Sequence, residues 1–302
     1  MTTLKSLKTP LRYPGGKSRA VTKMSQFFPD LTGYYQYREP FLGGGSVALW
    51  VTKQYPDLLV WVNDLYEPLY NFWNQLQCNG KELESKLLEL KQENNDRDKA
   101  RELFTTCKEE VSNRSLSDQH RAVCFYVVNK CSFSGLTEAS SFSAQASESN
   151  FSVRGIEKLS QYQSLIKFWK ITNYSYEFLL SGVQTKVKDA FIYLDPPYEI
   201  ESHLYGKKGD LHKYFSHDEF SEECEKSKQD LFISYNSSNL IRDRFKDWTA
   251  AEYDHTYTMR STATYTKAQQ KRKELVLWKS SGMTPIGEKN RSHIIQGNKQ
   301  NS

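Results

Sequence analysis

Cysteine is scarce in this chain: there are five in 302 residues, an odd number, and no two stand at Cys-x-x-Cys spacing. That excludes a disulfide framework and a cysteine-rich zinc module, and it fits a reducing compartment. The six histidines read as scattered, at neither helical nor zinc-ligand spacing from a cysteine or from each other, so no metal is expected. No apolar run approaches the roughly 20 residues that a bilayer span requires, and no signal-peptide core opens the chain. A cytosolic protein is expected, acting as a monomer and away from membranes. A strong excess of one charge is missing too. Lys and Arg number 41 against 36 Asp and Glu, for a net +5. Many soluble enzymes share that mild balance, which permits visits to a polyanion and argues against coating one. No internal repeat is evident, and the length suits one large domain carrying a smaller insert.

The most informative stretch present is Asp195-Pro196-Pro197-Tyr198, which closes the apolar run Phe191-Ile192-Tyr193-Leu194. A short run of β-branched and aromatic residues ended by two prolines predicts a buried strand with a rigid loop at its C-terminal end. Proline supplies no N–H, so Asp195 and the Pro196 carbonyl stand as acceptors with no neighbouring donor to quench them. An acceptor pair beside an aromatic ring suits a planar group bearing an exocyclic amine, with Tyr198 stacking on it.

Three further stretches keep it company. Arg38-Glu39-Pro40-Phe41-Leu42-Gly43-Gly44-Gly45-Ser46-Val47-Ala48 reads as strand, glycine turn and helix. Gly43, Gly45 and Ala48 meet the loose spacing in which glycines let backbone approach a ligand, although a tight turn explains them about as well. Leu58-Leu59-Val60-Trp61-Val62 ends in Asn63-Asp64, an acid at the tip of the second strand, where α/β folds bind ribose hydroxyls. Leu11-Arg12-Tyr13-Pro14-Gly15-Gly16-Lys17-Ser18 looks like a phosphate loop, but Leu11 stands where its first glycine should be.

In that order, Tyr-Pro-Gly-Gly-Lys, Glu-Pro-Phe-x-Gly-x-Gly-Ser, Asn-Asp-x-Tyr and Asp-Pro-Pro-Tyr resemble the Dam-type N6-adenine DNA methyltransferases over most of the first 280 residues. The resemblance implies an α/β fold: a Rossmann-like sheet that uses S-adenosyl-L-methionine, with an inserted, mainly helical target-recognition domain. It implies that residues 1–74 and 160–280 form the catalytic and cofactor domain and 75–159 the insertion. By the same resemblance, Tyr13, Lys17, Phe41, Gly43, Gly45, Asp64 and Asp195 hold the cofactor. Lys17 reaches for the methionine carboxylate, and Tyr13 stands where several relatives have Trp. Asp195, Pro196, Pro197 and Tyr198 form the catalytic loop. The implied partner is double-stranded DNA, in a bacterial or phage-infected cytosol. GATC is the family's common target, but Thr137-Glu138-Ala139 departs from the more basic stretch of better-known members.

The rest of the chain is read around these points. Leu83, Leu87 and Leu90, then Leu103 and Phe104, stand at helical spacings among charges, which predicts amphipathic helices. Ala122-Val123-Cys124-Phe125-Tyr126-Val127-Val128 fits a buried helix or a strand, and the resemblance favours helix. The polar stretch after Asn129 matches the place where the family begins a DNA-touching hairpin. Lys130 is expected there as a phosphate contact, with Phe133, Ser134 and Leu136 beside it. A basic connection before the last strand, with Lys271 and Arg272, is a second candidate for DNA contact. Ser216 reads as an N-cap with Glu219 completing a capping box and Phe215 and Phe220 as a staple. A closing antiparallel pair is expected at 251–259 and 274–278, then a disordered tail at 281–302.

A sulfonium methyl is already activated, so the expected mechanism needs no metal or covalent intermediate, and in-line positioning is the main task. Accepting both N–H bonds of an amine localises its lone pair. The nearest alternative is N4-cytosine methylation; RNA or protein-amide methylation rank lower. A nicotinamide oxidoreductase using Gly43, Gly45 and Asp64 would leave Asp-Pro-Pro-Tyr without a role. A silent DNA-binding module would leave the acceptor loop unexplained.

Overall fold

The computed structural model describes residues 7–13, 15–133, 140–181, 190–199, 214–256, 271–279 and 294–295, with backbone alone for 255–256, 271–272 and 294–295. Eight strands form one sheet: β1 (Gln36–Glu39), β2 (Leu59–Asn63), β3 (Lys170–Thr172), β4 (Ala190–Leu194), β5 (Asp230–Asn236), β6 (Thr249–Thr256), β7 (Lys271–Lys279) and β8 (Ile294–Ile295). Their order is β3-β2-β1-β4-β5-β7-β6-β8. The first five pair in parallel; β7 enters antiparallel between β5 and β6, and β8 pairs antiparallel with β6. This is the Rossmann-like α/β sheet expected, with its antiparallel closing pair. Of the segment 281–302, expected to be disordered, Ile294–Ile295 is described and pairs with Ala250 and Ala251; the rest lies outside the described residues.

Parallel strands require crossovers, and helices supply them. They are α1 (Val21–Met24), α2 (Ser46–Gln54), α3 (Glu67–Glu93), α4 (Arg97–Glu110), α5 (Asp118–Cys131), α6 (Ala144–Ser149), α7 (Val153–Ile156), α8 (Leu159–Leu165), α9 (Glu177–Leu180), α10 (His217–Lys226) and α11 (Asn239–Arg244). Chain order reverses between β1 and β4, so the connections leave these neighbours in opposite directions and open a crevice at their carboxyl ends. Glu39, Asp64 and Asp195 all arrive at that edge.

Alternation along β4 divides the core into two layers. Phe191 and Tyr193 join Tyr37, Phe28 and Phe232 on one face; Ala190, Ile192 and Leu194 join Leu231, Phe220 and Trp248 on the other. All five β4 residues are buried, which is why the run carries no polar alternation. The same reason hid α5: almost every residue from Arg121 to Cys131 is buried, so no polar stripe marks the helix.

The crossover from β2 to β3 carries α3 to α8. Helix α3 has non-helical φ and ψ at Asn79 (−130°, 34°), so it kinks one turn beyond position 74. Position 159 is the first residue of α8. Leu83, Leu87, Phe104 and Val123 belong to the same buried cluster as Tyr37 and Phe191, so helices and sheet share one core. The capping of α10 is as expected: Ser216 Oγ accepts from Glu219 N at 3.3 Å, and the Phe215 and Phe220 rings lie 5.5 Å apart. Among the described residues no helix is long and apolar enough to cross a membrane.

Candidate active site

A cavity of about 420 Å³ lies at the carboxyl ends of β1, β2 and β4. The turn between β1 and α2 forms its floor. Gly43 and Gly45 have φ of 49° and 67°, where only glycine is unstrained. A Cβ on Gly43 would stand 2.9 Å from Tyr13 Cε1, and one on Gly45 2.7 Å from Trp73 Cζ2. The missing side chains therefore let Tyr13 press onto one side of the turn and Trp73 onto the other. Trp73 Nε1 also donates to the Gly43 carbonyl at 3.1 Å.

Asp64 fixes this turn to β2. Its Oδ2 accepts from Gly43 N at 2.8 Å and its Oδ1 from Tyr66 N at 3.0 Å. Burial pushes its carboxyl up to about 6, against the pull of those two donors. Glu39, at the tip of β1, is buried and accepts from Tyr37 Oη at 2.6 Å. Burial holds its carboxyl well above the usual carboxylate range, although the Tyr37 bond works the other way.

Opposite stands the loop after β4. Lys17 is buried, and its Nζ donates to both oxygens of Asp195 at 2.8 Å and to the Gly15 carbonyl at 3.1 Å. Burial pulls this ammonium's pKa down more than any single neighbour raises it, but Asp195, with Tyr193, Glu274 and Tyr253 adding to it, outweighs burial and holds Lys17 well above its usual value. Ser234 Oγ, on β5, donates to Asp195 Oδ1 at 2.8 Å and is itself within 2.8 Å of Tyr193 Oη. The Tyr198 ring faces Lys17 Nζ, 4.9 Å from its centroid, and its hydroxyl donates to Glu274 Oε2 on β7 at 2.7 Å. Burial raises the Glu274 carboxyl, with Lys17 and Tyr198 opposing.

Tyr13, Lys17, Phe41, Gly43, Gly45, Asp64, Asp195 and Pro197 thus come together around one cavity. Pro196 is buried beneath the loop, and Tyr198 lies behind Lys17. Lys17 Nζ directs its hydrogen bonds to Asp195 and the Gly15 carbonyl within the protein. Sequence reasoning missed Glu39, Tyr176, Ser234 and Glu274. Glu39 carried the signal that marked Asp64, an acid at a strand tip. Tyr176 stacks on Phe41, with centroids 5.4 Å apart, from a short helical segment with no pattern of its own.

The expected DNA contacts are less gathered. Lys130 is half-buried with its Nζ over the Tyr126 ring, and burial, with Arg12 adding to it, lowers its ammonium to about 8. Phe133 is exposed, and its N–H donates to the Ser141 carbonyl at 3.0 Å. Ser134 and Leu136 lie outside the described residues. The backbones of Lys271 and Arg272 pair with Thr256 and His255, and their side chains lie outside the described residues. The end of α5 is tied to the cavity. Arg12 N donates to Asn129 Oδ1, Asn129 Nδ2 donates to the Arg12 carbonyl, and Arg12 is the neighbour of Tyr13.

The expectation that no histidine stands at helical spacing from a cysteine does not hold. His120 and Cys124 lie one turn apart on α5, with His120 Nε2 and Cys124 Sγ 3.5 Å from each other. The reason is simple geometry: four residues span about one helical turn.

Residues 13–259 match the family model for D12 class N6 adenine-specific DNA methyltransferases. The type II methyltransferase M.MjaIII of Methanocaldococcus jannaschii is 24% identical over 204 residues, covering 64% of this chain and 70% of that protein. The type II methyltransferase M1.LlaDCHI of Lactococcus lactis subsp. cremoris is 23% identical over 270 residues, covering 84% and 89%. The rRNA methyltransferase aviRa from Streptomyces viridochromogenes aligns over 92% of this chain and 91% of its own at 10% identity, with a TM-score of 0.33.

Proposed function

The chain belongs to the D12 class N6 adenine-specific DNA methyltransferases, and we propose that the cavity before Asp195 holds S-adenosylmethionine together with an adenine turned out of duplex DNA. The reaction is methyl transfer to the N6 amine of adenine in DNA. The bound cofactor supplies a methyl group already activated by a sulfonium. The residues present fit it. The glycine turn lets Tyr13 pack down against the cavity floor, and the Phe41–Tyr176 stack offers an aromatic wall. Glu39, Asp64, Glu177, Asp195 and Glu219 line the cavity with Lys17, so acceptors outnumber donors for a ligand that carries amine groups.

Asp195 carries this reading. A carboxylate offers about four lone-pair positions. Among the described residues Lys17 engages each oxygen once and Ser234 engages Oδ1 again, so three are taken and one remains on Oδ2. That remaining acceptor, with the Pro196 carbonyl, suits the two N–H bonds of a single exocyclic amine. Both bonds draw the nitrogen toward tetrahedral geometry and free its lone pair for in-line attack. Lys17 and Ser234 hold the carboxylate's orientation beforehand, so the acceptor needs no reorganisation when the base arrives. Lys17 therefore acts on Asp195 in this proposal, rather than on the methionine carboxylate. Because the amine is out of reach inside a duplex, the base leaves the stack. Residues 75–159, with Phe133 and its neighbours, read the flanking bases, since an acceptor loop recognises only the flipped one. The enzyme works in the cytosol on double-stranded DNA.

Expression in a methylation-deficient host followed by methylation-sensitive sequencing tests the proposal. N6-methyladenine should accumulate at one recurrent sequence and vanish with Asp195→Ala. Methyladenine at undiminished levels from that variant would remove Asp195 from the chemistry.

A further inference from the structure

Away from the active site, four side chains of metal-ligating type converge between α4 and α5. On α4, Cys107 and Glu110 stand three residues apart; on α5, His120 and Cys124 stand four apart, so each pair shares a helix face. Glu110 Oε2 lies 2.7 Å from His120 Nε2, and Cys124 Sγ lies 3.7 Å from Glu110 Oε2 and 3.5 Å from His120 Nε2. One ligand atom from each of Glu110, His120 and Cys124 falls within 4.8 Å of the other two.

A surface His–Glu pair would account for only one of these contacts. An imidazole nitrogen makes one hydrogen bond along its lone pair or N–H, yet Nε2 here faces a carboxylate oxygen and a sulfur together. The distances fit a tetrahedral ion. Zinc bonds of about 2.0–2.1 Å to N or O and about 2.3 Å to S, at the tetrahedral angle, place N and S about 3.6 Å apart and N and O about 3.4 Å apart. The nitrogen–sulfur and oxygen–sulfur separations already lie near that, and a small rotation of the exposed Glu110 side chain opens the third. Exposure is graded in the same sense: Cys107 and Cys124 are buried, whereas the His120 and Glu110 side chains are 46% and 32% exposed and give an ion its way in.

We infer that Glu110, His120 and Cys124 form a binding site for a zinc-like divalent cation that clamps α4 to α5. A thiolate, an imidazole and a carboxylate suit a borderline-soft ion; magnesium and calcium demand oxygen ligands instead. The fourth tetrahedral position falls to water or, after a side-chain rotation, to Cys107, and the site lies apart from the cavity of the methyl-transfer reaction. It staples α4 to the helix whose end carries Asn129 and leads to Phe133.

Cobalt titration of the full-length protein, reduced and then stripped with chelator, tests this. One equivalent of Co²⁺ should give a thiolate-to-cobalt charge-transfer band and the visible bands of tetrahedral cobalt, and Zn²⁺ should bleach both. His120→Asn should weaken Co²⁺ binding by more than the roughly tenfold that loss of an outer-shell partner costs. The double variant Cys107→Ser/Cys124→Ser should abolish the charge-transfer band, whereas Cys78→Ser should leave it intact. His120 is half exposed, so its variant keeps the fold and keeps the test decisive if the cysteine variants do not. Absence of a thiolate band in the unmodified protein, or an unchanged spectrum and affinity in His120→Asn, would overturn the site.

Discussion

Lys17 Nζ lies 2.8 Å from both carboxylate oxygens of Asp195, joining the segment before β1 to the loop after β4 across 178 positions of sequence. The pair is a buried cation bound to a half-buried anion, and the anion helps to keep Lys17 charged. Removing either leaves the other's charge uncompensated, which typically costs about 3–5 kcal/mol when both groups are buried and less where one reaches solvent.

Asp195→Ala should therefore do two things. Methyl transfer should fall by at least about 10²–10³-fold, the scale on which loss of one preorganised hydrogen-bonding group acts. The melting temperature should fall as well, because Lys17 loses its partner. Asp195→Asn, which returns one acceptor to Lys17 but not the charge, should recover only part of the melting temperature and little of the turnover. Single-turnover methylation and calorimetry on both variants separate the effects; equal recovery of both would mean the carboxylate matters only for folding.

Asp64 predicts a pH dependence. Its folded carboxyl titrates near 6, above the unfolded value of 3.8. Between those values the folded state holds a proton that the unfolded state has lost, so this group's contribution to stability falls as pH rises from about 4 to about 6. Asp64→Asn should remove that component from the stability profile. Asp64→Ala should weaken cofactor binding about ten- to a hundredfold, the cost of one or two charge-assisted hydrogen bonds. Denaturant unfolding from pH 4 to pH 7 checks the first and equilibrium dialysis the second, and an unchanged stability profile in Asp64→Asn would place the titration elsewhere.

Glu274 and Tyr198 should act as a unit. Glu274→Ala and Tyr198→Phe each remove the 2.7 Å bond that sets the ring's direction. Each should lower kcat with little change in cofactor affinity, and the double variant should lose no more than the worse single one. Fully additive losses would show that the hydrogen bond carries nothing.

Phe133 is 47% exposed, so Phe133→Ala should leave the melting temperature almost unchanged. DNA affinity and discrimination between the preferred site and its single-base variants should fall, with cofactor binding intact. If site preference stays the same, recognition moves to the connection that leads into β7.

Legibility followed the range of the signal. Strands β2 and β4 announced themselves because each is a short apolar run ending at a chemically distinctive residue, whereas β1, Gln36–Glu39, was read from the glycine turn that follows it. Strand β3 did not: Lys170–Thr172 is three residues long, lies at the sheet edge and is only half covered. The groups that prepare Asp195 were equally hidden, because Ser234 and Lys17 reach it from 39 and 178 positions away. Glu274 reaches Tyr198 across 76 positions, and no local pattern encodes such a meeting. The His120–Cys124 spacing, by contrast, was present in the sequence; only the partners from α4 give it meaning.

The reciprocal hydrogen bonds between Arg12 and Asn129 make one mechanical piece of the end of α5 and the strand of chain that carries Tyr13. Should the end of α5 shift when duplex is engaged, Tyr13 shifts with it on the glycine turn. Thermodynamic reciprocity then fixes the converse. Whatever factor DNA lends to cofactor affinity, the cofactor must return to DNA affinity, and the sequence of arrival alters the path without altering the total.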